Sequence, residues 1–471
     1  MPLTDEQQAI VTAVLDNKVV KVIARAGTGK THTLVAIAEA LKPERGIYMA
    51  YNKSIALEAK QKFPYYIDCR TVHSLAYMYI MTNSSRTIEF FTPSCIEEPI
   101  PYNDKLNIIA TIEEFYLSDA VELSWLSKQL EAPYDDIAKK YVKKMQDNEI
   151  PCTFSFLLKY FHLQLLFGTI TPNEVDLLML DEAGDTSGVI VEIFKLFPAK
   201  KKVMVGDPEQ NIYAFAYTVD GFKNVKEGVT LPLTKSFRVS PRIASDIQSF
   251  CVKNFCPSMV FHGTEQENKV IKSKAYIART NSYLIARAIE LNKTDTVYSF
   301  TREPKEIFSL LLTVMNLKED SLIYDKRYKY LPEALCCYNN EPHLQQQYTS
   351  FLSFLSSTYC ENDPALRATI GLLFKYKFKE LYDAYNRAKA MPKRANIVLT
   401  TAHSAKGLEF DEVYIEDDLN KAVEKNKLKR YIDVEALTEF RLYYVACTRA
   451  RLSLLNAKEL LNVENYTTRV T

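Results

Sequence analysis

The stretch Val19-Val-Lys-Val-Ile-Ala24-Arg25-Ala26-Gly27-Thr28-Gly29-Lys30-Thr31-His32-Thr-Leu34 decides how this chain is read. Val19 to Ala24 is a short apolar, β-branched run. It meets a segment holding two glycines, and from Leu34 to Leu41 the apolar residues recur at helical spacing. The order is strand, loop, helix. In such a loop glycines let backbone N–H groups face phosphates, Lys30 reaches the outer phosphates, and the Thr31 hydroxyl can ligate Mg²⁺. Ala26, Gly27, Thr28, Gly29, Lys30 and Thr31 are therefore the candidate phosphate cradle. The first glycine usual in such loops is Ala24 here.

Two further apolar runs end in carboxylates. Glu174 to Leu180 leads into Asp181-Glu182, and Lys202 to Val205 into Gly206-Asp207. Open α/β sheets place their sites at such strand ends. Asp181 suits Mg²⁺, and the adjacent Glu182 suits the polarising of an attacking water. Alone, the pair reads equally well as a favourably charged helix N-terminus; the phosphate loop upstream gives it a catalytic reading.

At 471 residues the chain exceeds one ordinary core, and 47% hydrophobic with 25% charged residues is globular usage. Lys plus Arg number 59 against 58 Asp plus Glu, so the net charge of +1 supplies no global attraction for a polyanion. The nine cysteines contain no C-x-x-C pair, which points to reduced thiols and not to zinc or disulfides. The longest apolar candidate, Phe154 to Ile170, is interrupted by Lys159, His162 and Gln164 and reads as a buried amphipathic helix. The N-terminus lacks the basic start and apolar middle of a signal peptide. No membrane association is expected, and the expected compartment is the cytoplasm or nucleoplasm.

Residues 81–165 and 303–392 are rich in helix formers and carry no phosphate-loop chemistry; both read as helical insertions, the first holding the sole tryptophan, Trp125. Lys274 to Ala278 and Asn396 to Thr400 read as strands of another α/β layer. Phe374-Lys-Tyr-Lys-Phe-Lys379 alternates aromatic and basic residues, as a nucleic-acid-binding strand would. Leu366, Ile370, Phe374, Phe378, Leu381 and Tyr385 nevertheless recur at three to four residues, so the segment is expected to be one amphipathic helix with solvated lysines.

Further short blocks stand in order along the chain. They are Leu3-Thr-Asp-Glu-Gln7, Tyr48-Met-Ala-Tyr51-Asn52-Lys53-Ser54, Thr71-Val-His73-Ser74 and Val205-Gly-Asp-Pro-Glu-Gln210-Asn-Ile-Tyr213-Ala-Phe215. Leu233-Thr-Lys-Ser-Phe237-Arg238, Thr401-Ala-His403-Ser-Ala-Lys406-Gly-Leu-Glu409-Phe410 and Glu439-Phe-Arg441-Leu-Tyr-Tyr444-Val-Ala-Cys-Thr448-Arg449 follow. With the phosphate loop and Asp181-Glu182, this co-linear set resembles the UvrD/Rep/PcrA group of superfamily 1 helicases, and within it the F-box DNA helicase branch.

The resemblance implies an α/β fold of two RecA-like P-loop domains with parallel sheets, each carrying a mostly helical insertion. The first domain would comprise residues 1–80 and 166–232 with insertion 81–165, the second 233–302 and 393–471 with insertion 303–392. ATP with Mg²⁺, held by Thr31 and Asp181, would lie between the two domains. The implied activity is that of an ATP-dependent 3′→5′ translocase and helicase acting on single-stranded and tailed duplex DNA, with DNA ahead of RNA; a monomer suffices for it.

Gln7 would read the adenine, whose edge suits an amide that both donates and accepts. Phe237 would cover the base and Glu409 would accept from the ribose. Gln210 would sense the γ-phosphate, with Arg238 and Arg449 as arginine fingers. Tyr51, Tyr213 and Phe215 would stack on bases, and Asn52, Lys53, Thr71, His73 and His403 would contact the track. Without the resemblance, His73 reads as a core histidine, and Tyr213 and Phe215 as core aromatics.

Three positions depart from the family pattern. Gly184 replaces a glutamine and bears on the coupling of hydrolysis to DNA; Ala216 replaces an arginine and removes one phosphate contact. His32, in the cofactor-binding loop, stands where many relatives carry arginine and bears on nucleotide selectivity. Residues 450–471 contain no nuclease constellation, so an attached nuclease is not expected. A protein-stripping translocase and a nucleotide-gated binding protein with little turnover remain open alternatives. Strand separation against protein displacement distinguishes the first, and DNA-stimulated ATPase the second.

Overall fold

The computed structural model describes residues 2–50, 52–82, 84–125, 134–212, 218–266, 270–317, 328, 330–360, 363–429 and 431–460. The chain divides into two compact units, Met1–Ser236 and Phe237–Thr471. The division falls beyond residue 232 because the strand Val229–Leu233 pairs in the first unit's sheet, alongside Val20–Ala24.

In the first unit β1 is Val19–Ala24, β2 Gly46–Ala50, β3 Ile67–Thr71, β4 Val175–Leu180, β5 Thr186–Ser187, β6 Ala199–Gly206, β7 Thr218–Val219 and β8 Val229–Leu233. Six of these form one parallel sheet in the order β3-β2-β4-β6-β1-β8, while β5 and β7 pair antiparallel beside it. A parallel sheet covered on both faces needs strands apolar throughout, and Gly46-Ile-Tyr-Met-Ala50 is buried at every position. Alternate residues of β2 and β4 go to opposite cores. Ile47, Met49, Leu178 and Leu180 pack with Ile112, Phe115, Tyr141, Phe156 and Phe161 of the helical insertion. Tyr48, Leu177 and Met179 pack with Ile10, Val14, Leu34 and Ile37 of the helices Asp5–Asp16 and Lys30–Leu41. The insertion thus shares the sheet's core, where each fully buried Leu, Ile or Phe contributes about 1.5–3 kcal/mol.

The second unit holds β9 Lys274–Ala278, β10 Ser299–Phe300, β11 Ile397–Thr401, β12 Phe410–Ile415 and β13 Ala450–Leu455, all parallel in the order β10-β11-β9-β12-β13. Ala278 and Leu399 of this sheet share a core with Phe308, Leu311, Leu366, Ile370 and Leu381 of the second helical stretch. Each sheet therefore carries a mostly helical insertion packed on it.

The segment around Phe374 differs from expectation. It is two helices, Pro364–Lys375 and Phe378–Ala390, broken at Tyr376 and Lys377, whose backbones are extended. The Glu380 carboxylate accepts from the Lys377 N–H at 3.0 Å and restarts the helix. Leu366, Ile370 and Leu381 are buried, but Phe374 and Phe378 at the corner are 59% and 49% exposed. Among the described residues no helix is long and apolar enough to cross a membrane.

Candidate nucleotide and nucleic-acid site

The loop after β1 is shaped by its own residues. Gly27 and Gly29 adopt positive φ, 73° and 79°, a left-handed conformation that costs any side chain but glycine's. The Thr28 hydroxyl donates to the Arg25 carbonyl at 2.9 Å and closes the turn. Gly29 caps the helix Lys30–Leu41 with no side chain, leaving the first helical N–H groups facing outward for an anion. Ala26 and Thr28 are buried, Thr31 is half-buried and His32 exposed.

Lys30 lies against Glu182, Nζ to Oε1 at 2.5 Å. Burial pushes the lysine pKa down, but the carboxylates of Glu182, Asp181 and Asp207 outweigh it and the net shift is upward, so Lys30 is charged. Asp181 accepts from the Tyr48 hydroxyl at 2.6 Å and from the Glu182 N–H at 2.8 Å. Burial raises the Asp181 pKa, only partly offset by Lys30. A buried carboxylate held above its ordinary range is favourable ground for an added cation, so Thr31 and Asp181 fit Mg²⁺. Glu182 has φ 55°, unusual for a residue with a side chain.

Gln7 lies in a capping box: its Oε1 accepts from the Thr4 N–H at 3.0 Å, and Thr4 Oγ1 accepts from the Gln7 N–H at 3.3 Å. The other half of the amide, Nε2, is buried without a partner. An orphaned donor of this kind fits the acceptor edge of a nucleotide base.

At the end of β6, Asp207 accepts from Gln210 Nε2 at 2.9 Å and pairs with the Arg25 guanidinium at 3.1 Å. Arg25, Asp207 and Tyr48 are partners that sequence reasoning did not assign. Tyr48 carried no signal, since an aromatic in an apolar strand reads as core. Arg25 and Asp207 stood in plain view at strand ends, but nothing in the sequence pairs them.

Because the strands of the first sheet run parallel, the ends of β1, β2, β3, β4 and β6 share one edge. Lys30, Asp181, Glu182 and Gln210 follow three of these ends; Asn52, Lys53, Thr71 and His73 stand at the ends of β2 and β3. Asn52 and Thr71 are helix caps, accepting from Ile55 and Ser74 N–H at 2.9 and 3.1 Å. Lys53 is exposed, and His73 is half-buried with its pKa pushed down by burial. Tyr51, Tyr213, Phe215 and Ala216 lie outside the described residues.

In the second unit Phe237 and His403 are half-buried. Arg238 pairs with Glu409, Nε to Oε2 at 2.8 Å. Arg449 is buried, donating to the Val445 and Leu408 carbonyls at 2.9 and 3.3 Å and to Thr448 Oγ1 at 2.9 Å.

A parallel sheet whose first strand feeds a glycine phosphate loop, with a lysine meeting two carboxylates at its edge, defines a RecA-like P-loop nucleotide-binding protein. Comparison with known proteins narrows the class. A model of an AAA domain matches residues 7–216, and one of the UvrD-like helicase C-terminal domain matches residues 379–457. The chain is 26% identical to F-box DNA helicase 1 of Gallus gallus, over 97% of this chain and 49% of that protein. It is 24% identical to F-box DNA helicase protein 1 of Schizosaccharomyces pombe, over 96% of this chain and 57% of that protein. It thus spans about half the length of these relatives. In these matches the chain is similar to the UvrD-like helicases.

Proposed function

We propose that this chain is an ATP-dependent single-stranded DNA translocase and DNA helicase that moves 3′→5′. The observation that carries the reading is the gathering of Lys30, Asp181, Glu182 and Gln210 at one edge of a parallel sheet in a UvrD-like chain. Both relatives are named as DNA helicases, which supports DNA as the track.

Lys30 holds the outer phosphates and releases Glu182, which takes the proton of the attacking water. Gln210 meets the terminal phosphate, and Arg238 and Arg449 neutralise charge on the transferring phosphoryl. Gln7 and Phe237 hold the base and Glu409 the ribose. Mg²⁺, when bound through Thr31 and Asp181, supplies charge neutralisation at the phosphates. Asn52, Lys53, Thr71, His73 and His403 hold the strand, with Tyr51, Tyr213 and Phe215 as stacking faces.

The test is ATP hydrolysis by wild type and Lys30→Ala, with and without single-stranded DNA and RNA. DNA should stimulate wild type more than RNA does, and Lys30→Ala should show no turnover while still binding DNA without nucleotide. Normal turnover in Lys30→Ala, or no response to DNA, sinks the reading.

A further inference from the structure

We propose that Arg25 and Asp207 are a positioning pair for Gln210, fixing its amide at the terminal phosphate and tying it to the phosphate loop. The inference rests on the ATPase reading above and adds two residues to it.

Arg25 is the first residue after β1, and its backbone is pinned on both sides. Its N–H donates to the Leu233 carbonyl at 2.9 Å, and its own carbonyl accepts from the Thr28 hydroxyl at 2.9 Å. Any movement of the phosphate loop therefore carries Arg25 with it. The guanidinium reaches Asp207 Oδ1 at 3.1 Å, and Asp207 Oδ2 accepts from Gln210 Nε2 at 2.9 Å. Arg25, Asp207 and Gln210 are 8%, 1% and 5% exposed, so little water competes for these bonds.

The chemistry dictates the orientation of Gln210. A carboxylate paired with a guanidinium only accepts, so the amide must turn Nε2 toward Asp207. One N–H is used there; the second N–H and Oε1 take the directions this anchor leaves them. Without the anchor, an amide rotates between two nearly isosteric arrangements that present opposite polarity to a phosphate.

Gly184 explains why this pair carries the tie. A Cβ at 184 would sit 2.6 Å from the Asp207 carbonyl carbon and oxygen and 2.7 Å from Pro208 N. The loop after Glu182 therefore meets Asp207 by backbone packing, with no room for a glutamine to link the two. The side-chain link runs from the other direction, through Arg25.

The experiment measures affinity for ADP and for an imido analogue of ATP, with kcat and melting temperature, in Asp207→Asn, Arg25→Gln, Gln210→Ala and the Arg25→Gln/Gln210→Ala double variant. Asn at 207 faces Gln210 with its own N–H₂ and reverses the amide. Each single variant should lose about tenfold in triphosphate affinity relative to ADP, the size of a lost charge-assisted hydrogen bond. ADP affinity should stay within about twofold, because the β-phosphate contacts are separate. The double variant should be no worse than Gln210→Ala alone. If Arg25→Gln does not fold, the isosteric Asp207→Asn carries the same measurement. An unchanged triphosphate-to-diphosphate ratio overturns the proposal, as does equal weakening of both nucleotides with a fall in melting temperature, or an additive double variant. Turnover persisting in Lys30→Ala would instead sink the ATPase reading itself.

Discussion

Arg238 and Arg449 are assigned one role and stand in different surroundings. Arg238 is partly exposed and pairs with a carboxylate, Glu409, itself proposed to hold the ribose. Nucleotide binding would exchange that ion pair for contacts to the nucleotide at small cost, since partly exposed pairs contribute little. Arg449 is 1% exposed and holds the helix end Val445–Thr448 to the turn at Leu408. Removing it takes a donor from the Leu408 carbonyl, at about 1–3 kcal/mol, while the Val445 carbonyl still accepts from the Thr448 hydroxyl at 2.9 Å. Both Arg238→Ala and Arg449→Ala should lower kcat by about 10³ or more. Only Arg449→Ala should also lower the melting temperature. Losses of a few-fold in kcat for both would show that the second unit does not complete the site. Glu182 adds a further residue-scale feature: its φ of 55° stores about 1–3 kcal/mol of strain that the surrounding packing must offset.

The helix Phe154–Leu166 shows what an element does to titratable groups. His162, 1% exposed, has its pKa lowered to about 4, first by burial and then by Lys159 and Lys195, with Asp119 opposing. Its Nδ1 is buried without a partner. Lys159 is lowered to about 8 by burial and donates to the Ser118 and Ala120 carbonyls at 2.7 and 2.8 Å. The unfolded chain takes up a proton at His162 below pH 6.5 and the folded one only near 4, so stability present above 6.5 is lost as pH falls to about 4. That loss is on the order of 3 kcal/mol. Urea titrations followed by Trp125, the sole tryptophan and part of the same insertion, should show it between pH 6.5 and 4. His162→Leu should flatten the dependence; an unchanged slope would assign it to carboxylates. At this scale the sequence was legible where a period was unbroken. Val19–Ala24, a β-branched run, and Lys274–Ala278 are strands with the bounds read from the sequence. The break at Tyr376 was not legible, because Leu366 to Tyr385 keeps helical spacing across it and only the Glu380 cap reveals the restart. The site was legible where chemistry has a fixed spacing, as in Gly27-Thr-Gly-Lys30. It was hidden where partners are far apart in sequence, as with Arg25 and Asp207.

For the whole molecule, charge gives no direction and little pull, since +1 in total leaves only local contacts to hold a polyanion. Binding to single strands should therefore be sequence-tolerant and fall steeply with salt. Directionality is a separate matter: it depends on which unit releases the strand when the nucleotide binds, and so on how track contacts divide between the units. Asn52, Lys53, Thr71 and His73 belong to the first, and His403 is the candidate of the second. That inventory does not fix a sign, because reversing the strand in the same contacts reverses the motion. The sign proposed above, 3′→5′, comes instead from the resemblance to the UvrD/Rep group. A duplex with a 3′ single-stranded tail should be opened in the presence of ATP and Mg²⁺, and one bearing only a 5′ tail should not. Lys30→Ala should open neither. If the 5′-tailed substrate were preferred, the polarity would be wrong while the motor assignment stood; if neither opened although DNA stimulated hydrolysis, the chain would translocate without unwinding.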